Sequence, residues 1–337
     1  MAVGTAIIAL APPFAAIGIA APLLILLARL IQGFAVSGEF ASATAMLVEA
    51  APPNRRALYA STQMATQVFT AGLAAAIVLG LYALLPPAAV EEWGWRVVFG
   101  LGTLIGPVGF WIRSRMAESP EYLALELRHA RSDAPLRTVL TQFPRELLGM
   151  AGLIVISSAA LYLVLIFLPL FAVRELGLAQ TDAYVATIVA TLAEAAAILA
   201  LGRLADRTGT LPMLVAGSLA WAALAWPLFA WLVAEPGFAR LVTVQTAAAL
   251  LLAAISAPLP LAMSQLLPAQ VRTTGVGLVY NLVGAVFGGL GPLIVTALIA
   301  ATGDRTAPAW WAAGTGLVGA AAAMALWRGH RTGEDHT

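Results

Sequence analysis

Residues 151–173 read AGLIVISSAALYLVLIFLPLFAV, an apolar run without a charged residue. About 20 such residues, wound as an α-helix, cross the hydrocarbon core of a bilayer. The run does not alternate polar and apolar residues as a transmembrane β-strand would. Lipid offers no partner to unpaired backbone groups, which also favours a helix. The stretch therefore predicts a membrane-spanning helix.

Similar apolar stretches lie on both sides of this run, separated by clusters of proline, glycine and charge. Of all residues, 61% are hydrophobic and 10% are charged, and the mean hydropathy is +0.90. A soluble domain carries about 25% charged residues, so this chain is predicted to be an all-α membrane protein. We predict about ten spans, with approximate bounds 3–18, 22–48, 57–84, 96–114, 149–173, 181–202, 211–234, 240–266, 273–300 and 307–327.

The arginines indicate an orientation, because cytoplasmic loops of membrane proteins are enriched in basic residues. With both termini in the cytoplasm, four arginines fall outside and Arg29 lies within a span. The predicted cytoplasmic set is Arg55, Arg56, Arg113, Arg115, Arg128, Arg131, Arg137, Arg145, Arg203, Arg207, Arg272, Arg328 and Arg331. The bias predicts a multi-pass protein of a bacterial inner membrane with both ends cytoplasmic.

Several functional classes are disfavoured by what the chain lacks. The net charge is +1 and no basic block is present, so a nucleic-acid partner is not expected. The chain has no cysteine, and His129, His330 and His336 all fall outside the predicted spans. We find no catalytic motif and no metal-ligand spacing, so we expect neither an enzyme nor a cofactor.

A polar segment divides the chain. Residues 115–147 are rich in charge, and Ser119-Pro120-Glu121 has the preferred order for a helix start. We predict a cytoplasmic linker at 115–147 with short surface helices. It separates four spans in 1–114 from a six-span bundle with a short tail in 148–337.

The sequence RLIQGFAVSGEF (29–40) resembles the fourth-helix signature of the major facilitator superfamily, in its metabolite:proton symporter branch. The similarity continues in the same order through WGWR (93–96), SPEY…APLR (119–137), GRLADRTG (202–209) and the glycine-rich segment 271–304. Any one motif is weak, but the ordered set is specific. The resemblance implies a two-bundle fold that transports solutes by alternating access.

On this resemblance the ten spans correspond to helices 3–12 of a twelve-helix fold. We expect the first two helices to be absent, through either an internal start codon or a truncated gene. The implied function is proton-coupled symport of a small polar or anionic metabolite, either an organic acid or a zwitterionic osmolyte. The alternative is a truncated remnant that inserts into the membrane but concentrates no solute. The expected partners are the metabolite, protons and the lipid bilayer; the oligomeric state is left open.

Charged residues within spans are costly, at ~2.5–3.5 kcal/mol each on insertion scales, and are functional candidates for that reason. Arg29 must face the bundle interior or a cavity, and the resemblance implies a role in proton coupling or in holding an anion. A structural hydrogen-bond anchor is the alternative. Glu39 lies seven residues after Gln32 and is predicted to share its helix face and to exchange protons, unless a backbone or arginine contact locks it. Glu194 is predicted to serve a proton or substrate site, or to pair with another helix.

Further polar residues are assigned by position. Gln63 and Gln67 share one helix face, and either substrate contact or interhelical bonding fits them equally. Tyr280 and Asn281 are predicted to line the cavity. Glu49 is expected near the cytoplasmic headgroups, paired with Arg55 or Arg56.

The GRLADRTG segment resembles the superfamily's cytoplasmic gating loop. There, Asp206 is expected to cap the following helix and to bridge to Arg203 or Arg207, and Gly202 and Gly209 belong to the same motif. The family usually has basic residues after the last glycine, whereas here Thr210 and Leu211 follow. A weaker latch is therefore expected.

Overall fold

A computed structural model describes residues 1–36, 39–115 and 134–334, and the regular secondary structure of this part is helical. The α-helices, numbered along the chain, are α1 (Ala2–Leu10), α2 (Phe14–Ile17), α3 (Ala20–Val36), α4 (Glu39–Glu49), α5 (Arg56–Leu84), α6 (Pro87–Ala89), α7 (Trp95–Gly102), α8 (Ile105–Arg113), α9 (Pro135–Gln142), α10 (Pro144–Tyr162), α11 (Leu168–Arg174), α12 (Gln180–Thr208), α13 (Thr210–Ala234), α14 (Phe238–Ser256), α15 (Leu259–Leu266), α16 (Ala269–Val283), α17 (Gly291–Thr302) and α18 (Ala307–Glu334). The all-α prediction is confirmed for these residues.

Within the described residues, seven helical stretches are long and apolar enough to cross a membrane. They are Pro53–Leu84, Pro144–Arg174, Gln180–Thr208, Thr210–Ala234, Phe238–Leu266, Ala269–Thr302 and Ala307–Gly329. In chain order, they correspond to the predicted spans 57–84, 149–173, 181–202, 211–234, 240–266, 273–300 and 307–327. The helical spans at these positions are therefore confirmed.

The other three predicted spans are each divided between shorter helices. Span 3–18 is broken at Pro12-Pro13, between α1 and α2, because proline has no amide hydrogen and forces the preceding residue out of the helical conformation. Span 96–114 is broken between Gly102 and Ile105, where Pro107 cannot donate to the carbonyl of Thr103. Span 22–48 is divided between α3 and α4, and residues 37–38 between them lie outside the described residues. The predicted helix start at Ser119 also lies outside them.

Two long spans contain a π-helical segment followed by a proline. Leu163–Phe167 joins α10 to α11, in which Pro169 removes the bond to the carbonyl of Leu165. Gly284–Gly289 likewise precedes Pro292 in α17. The Gly284–Gly289 segment packs against α10: a Cβ on Gly288 would lie 2.8 Å from the ring of Tyr162. The absence of a side chain at Gly288 therefore allows the two helices to approach closely.

We call α1–α8 the N-terminal group and α9–α18 the C-terminal group, since they lie on either side of residues 116–133. The hydrophobic core lies mainly in the C-terminal group and extends to α4 and α5. The two groups meet along α5 and α12, and where α4 and α5 contact α15 and α16. These shared surfaces place the residues of the candidate site.

Helices α5 and α12 pack antiparallel and very closely. A Cβ on Gly72 would lie 2.3 Å from the Thr191 hydroxyl, and one on Gly202 would lie 2.3 Å from the Ser61 hydroxyl. Small residues allow helix backbones to approach in this way in membranes. We call this contact the α5–α12 seam. The end where α5 begins and α12 ends is called the Asp206 end.

Candidate functional site

The Asp206 carboxylate joins the two groups of helices. Its Oδ1 accepts a hydrogen bond from the backbone amide of Ala57 at 2.7 Å, and its Oδ2 accepts one from that of Leu58 at 3.1 Å. These amides lie in the first turn of α5, where no intrahelical acceptor exists and where the helix dipole favours a negative charge. Asp206 therefore caps a helix 149 residues earlier in the sequence.

This partner differs from the predicted one. The helix that follows, α13, starts after Gly209 without a side-chain cap. In the part of the chain that the structure describes, no ion pair joins Asp206 to Arg203 or Arg207. The expectation that Asp206 caps the next helix and pairs with local arginines is therefore wrong. The cause is tertiary: the close seam brings the free amides of α5 within reach of the carboxylate.

The other residues of the predicted gating motif have distinct places. Gly202 is buried at the seam, and a Cβ there would also lie 3.1 Å from the Cα of Leu58, so glycine is required for the close approach. Gly209 has φ +87°, a conformation that glycine adopts without strain, and it turns the chain between α12 and α13. The Arg207 side chain is exposed at the Asp206 end.

A second contact between the groups involves aromatic rings. Phe40 of α4 stacks on Tyr280 of α16 with ring centroids 4.1 Å apart, and the Tyr280 side chain hydrogen-bonds with Gln67 of α5. From the helical rise, this contact lies ~15 Å in from the Asp206 end. The contacts between the two groups therefore include that end and this depth, and the seam continues past it to Tyr82 and Tyr184, whose ring centroids are 5.9 Å apart.

The two glutamines predicted as equivalent have different partners. The Gln63 amide donates to the Phe40 carbonyl at 3.2 Å, and its oxygen accepts from the Thr44 hydroxyl at 2.6 Å. Gln63 thus holds α5 against α4 within the N-terminal group, which is the interhelical alternative. Gln67 instead contacts the C-terminal group through Tyr280. The Asn281 amide donates to the Gly277 carbonyl of its own helix at 2.7 Å.

Arg29 belongs to a separate polar cluster on α1, α3 and α7. Its guanidinium donates to the Gln32 side chain at 3.3 Å and lies 6.0 Å from the Phe99 ring centroid. The Gln32 amide in turn donates to the Thr5 hydroxyl at 2.9 Å. The Arg29 side chain is exposed, so it does not occupy a packed interior position, and its predicted role stays a prediction. Glu39 begins α4, but its side chain lies outside the described residues, and its predicted role stays a prediction.

Glu194 has the most enclosed ionisable side chain among the predicted residues. It lies near the middle of α12 and is 0% exposed, and neither carboxylate oxygen has a hydrogen-bond partner. Helix α12 packs against α5 and α14, whereas α3, which carries Arg29, packs against α1, α2 and α4. The predicted site residues therefore form separate clusters rather than one pocket.

Three residues important to these contacts were not predicted from the sequence. Phe40 is the last residue of the quoted motif RLIQGFAVSGEF, so the motif could have identified it as a candidate. Ser61 faces Gly202 across the seam, and its small size is the detectable signal. Gln245 of α14 is buried and donates to both the Val164 carbonyl and the Thr187 hydroxyl at 3.1 Å. Its signal is a lone amide in an apolar run.

Helices of bilayer length, joined in two groups across a seam that contains buried polar groups, define a multi-pass membrane protein. Residues 1–183 match the sequence profile of the Major Facilitator Superfamily. The citrate-proton symporter of Klebsiella pneumoniae is 34% identical over 328 residues, covering 97% of this chain and 73% of that protein. The chain therefore belongs to the major facilitator superfamily, as its motifs predicted.

Other relatives are also named as transport proteins. The alpha-ketoglutarate permease of Escherichia coli (strain K12) is 32% identical over 317 residues, covering 92% of this chain and 71% of that protein. The proline/betaine transporter of Salmonella typhimurium is 26% identical over 323 residues, covering 92% of this chain and 64% of that protein. The proton:xylose symporter XylE superposes with a TM-score of 0.76 at 17% identity over 97% of this chain and 78% of that one, which shows the fold. The relatives are transporters, so the prediction against an enzyme is confirmed.

Proposed function

We propose that this protein is a secondary transporter that moves an organic acid together with protons across the bacterial inner membrane. Three relatives above 30% identity are named for carboxylic acids, two for citrate and one for alpha-ketoglutarate. The relative named for proline and betaine is 26% identical. An organic acid is therefore favoured over a zwitterionic osmolyte. Arg29 would supply a positive charge beside the path of the anion, and Gln32 would orient it.

We place the Asp206 end on the cytoplasmic side. This end contains the starts of α5 and α16 and the end of α12, and it carries Arg55, Arg56, Arg203, Arg207 and Arg272. Basic residues concentrate on cytoplasmic loops. In this orientation the two bundles are residues 1–114 and 148–337, and the cytoplasmic linker is 115–147. Because the contacts at the Asp206 end are formed, we infer a state closed toward the cytoplasm.

Alternating access then requires the contacts at this end to break. The Asp206 cap on α5 and the Phe40–Tyr280 stack both join the two groups of helices. Opening would separate α4 and α5 from α12 and α16, which exposes the first amides of α5 to water. Because water can replace the carboxylate as acceptor, the cap is a reversible latch rather than a fixed link.

The Asp206 cap is the single observation that carries the transport mechanism, because it joins the two groups at one end through hydrogen bonds that water can replace. The substrate assignment is tested by uptake of labelled citrate, alpha-ketoglutarate and betaine into proteoliposomes with an imposed proton gradient. We expect the acids to accumulate and betaine not to. Arg29→Gln should raise the KM for the acids at least tenfold, whereas Arg174→Gln, at an exposed position ending α11, should leave it unchanged. Accumulation of betaine alone would assign the osmolyte function instead.

A further inference from the structure

Glu194 is an ionisable group that the contacts described above do not use. Its side chain is 0% exposed and both carboxylate oxygens are without hydrogen-bond partners. By the helical rise it lies ~18 Å from the Asp206 end, at about the depth of the Gln67–Tyr280 contact. A carboxylate without a partner at that depth is far less stable than the neutral acid, because nothing there replaces its hydration.

The surroundings contain no compensating charge among the described residues. On α12 the nearest ionisable groups are Tyr184 and Arg203, each more than ~13 Å away along the helix. The helices packed against α12 have their ionisable groups near their ends. These groups are Arg55, Arg56, Tyr59 and Tyr82 on α5 and the turn before it, Arg174 on α11 and Arg240 on α14. Helix α13 and the short α15 carry none. The carboxyl therefore faces packed apolar and hydroxyl side chains.

The position of Glu194 on α12 connects it to the seam. Thr191, one turn earlier, lies against Gly72 of α5, and Gly202, two turns later, lies against Ser61. Thr187, two turns earlier, accepts the hydrogen bond from Gln245 of α14. Glu194 is thus between the seam with α5 and the contact with α14. Separation of α5 from α12 would remove one wall of its enclosure and admit water.

We propose that Glu194 is a proton-binding site whose occupancy is coupled to the α5–α12 seam. With the seam closed, the carboxyl holds its proton and is neutral. With the seam open, water reaches the carboxylate and the proton leaves to solvent; reprotonation permits closure. The cycle adds and removes one proton at a carboxylate oxygen and needs no other reactant. This proposal rests on the proposed proton-coupled transport and names the group on which one proton is carried.

The protonation state is tested without any substrate, by infrared spectroscopy of the purified protein in lipid nanodiscs at neutral pH. We expect a protonated-carboxyl C=O band in the wild type that is absent in Glu194→Gln and retained in the control Glu146→Gln, at the start of α10. Coupling is tested in Asp206→Ala, which weakens the latch: exchange of this proton for deuterium should become about 5–30-fold faster, which is the factor by which loss of the cap is expected to raise the population of the open state. A band that is identical in wild type and Glu194→Gln overturns the proposal, as does unchanged exchange in Asp206→Ala.

Transport separates this proposal from the broader one. Glu194→Gln keeps the shape of the neutral acid, so it should exchange labelled citrate across the membrane yet fail to accumulate it on a proton gradient. If the wild type itself shows no proton-driven uptake of any organic acid, the proposed function fails, whatever the infrared result. If the wild type accumulates citrate and Glu194→Gln does so equally, the proposed function stands and the role of Glu194 is refuted.

Discussion

Replacing Asp206 should shift the protein away from the state closed at the Asp206 end. Asp206→Ala removes both acceptors from the first turn of α5. Loss of a helix cap costs ~0.5–2 kcal/mol, and loss of the negative charge at the helix start costs ~0.3–1 kcal/mol. Because the carboxylate is only half-buried and water can replace it, we take about 1–2 kcal/mol, which is a factor of about 5–30 in the population ratio.

The assay is a distance measurement between spin labels at Asn54, just before α5, and Gln270, at the start of α16. The chain has no native cysteine, so two introduced cysteines give a clean pair. We expect a longer-distance population in Asp206→Ala, and a smaller one in Asp206→Asn, which keeps one acceptor oxygen. The control is Asp182→Asn, near the opposite end of α12. Equal distributions in wild type and Asp206→Ala would refute the latch.

Three further predictions concern the seam, the aromatic contact and the orientation. Gly72→Ala should destabilise the protein by ~1–3 kcal/mol through overpacking, with partial rescue by Thr191→Ala in a thermal unfolding assay; an unaffected midpoint would contradict the close approach. Tyr280→Phe keeps the ring and loses one hydrogen bond, so it should cost ~0.5–1.5 kcal/mol, and far less than Tyr280→Ala in the same assay; equal losses would assign the contact to the hydroxyl. In intact cells an impermeant thiol reagent should label Gln180→Cys and spare Asn54→Cys, and the reverse pattern would invert the orientation.

The fold was largely predictable because lipid imposes a simple rule on length and polarity. The uncharged run 151–173 had to be a helix, and it is one with a π-helical segment before Pro169. Short helices at the start of the chain were less predictable. Apolar composition does not distinguish one span from two shorter helices, and residues 3–18, predicted as one span, are divided at Pro12-Pro13.

The site was less predictable, since its contacts join residues far apart in the sequence. A motif identified Asp206, yet its partners, Ala57 and Leu58, depend on how α5 packs against α12. Gln63 and Gln67 look equivalent on a helix face but contact different groups of helices. Glu194 was found because a carboxylate in an apolar run is costly anywhere, whereas its complete enclosure depends on tertiary packing.

The central claim, symport of an organic acid with protons, is tested most directly by substrate-driven proton movement. Proteoliposomes containing the protein and an internal pH indicator are mixed with citrate at equal pH on both sides, with a potassium ionophore to remove the membrane potential. The account predicts that the inside acidifies as citrate enters, that the change disappears with a protonophore, and that Glu194→Gln abolishes it while citrate exchange continues. Entry of citrate without any change in internal pH would contradict proton coupling.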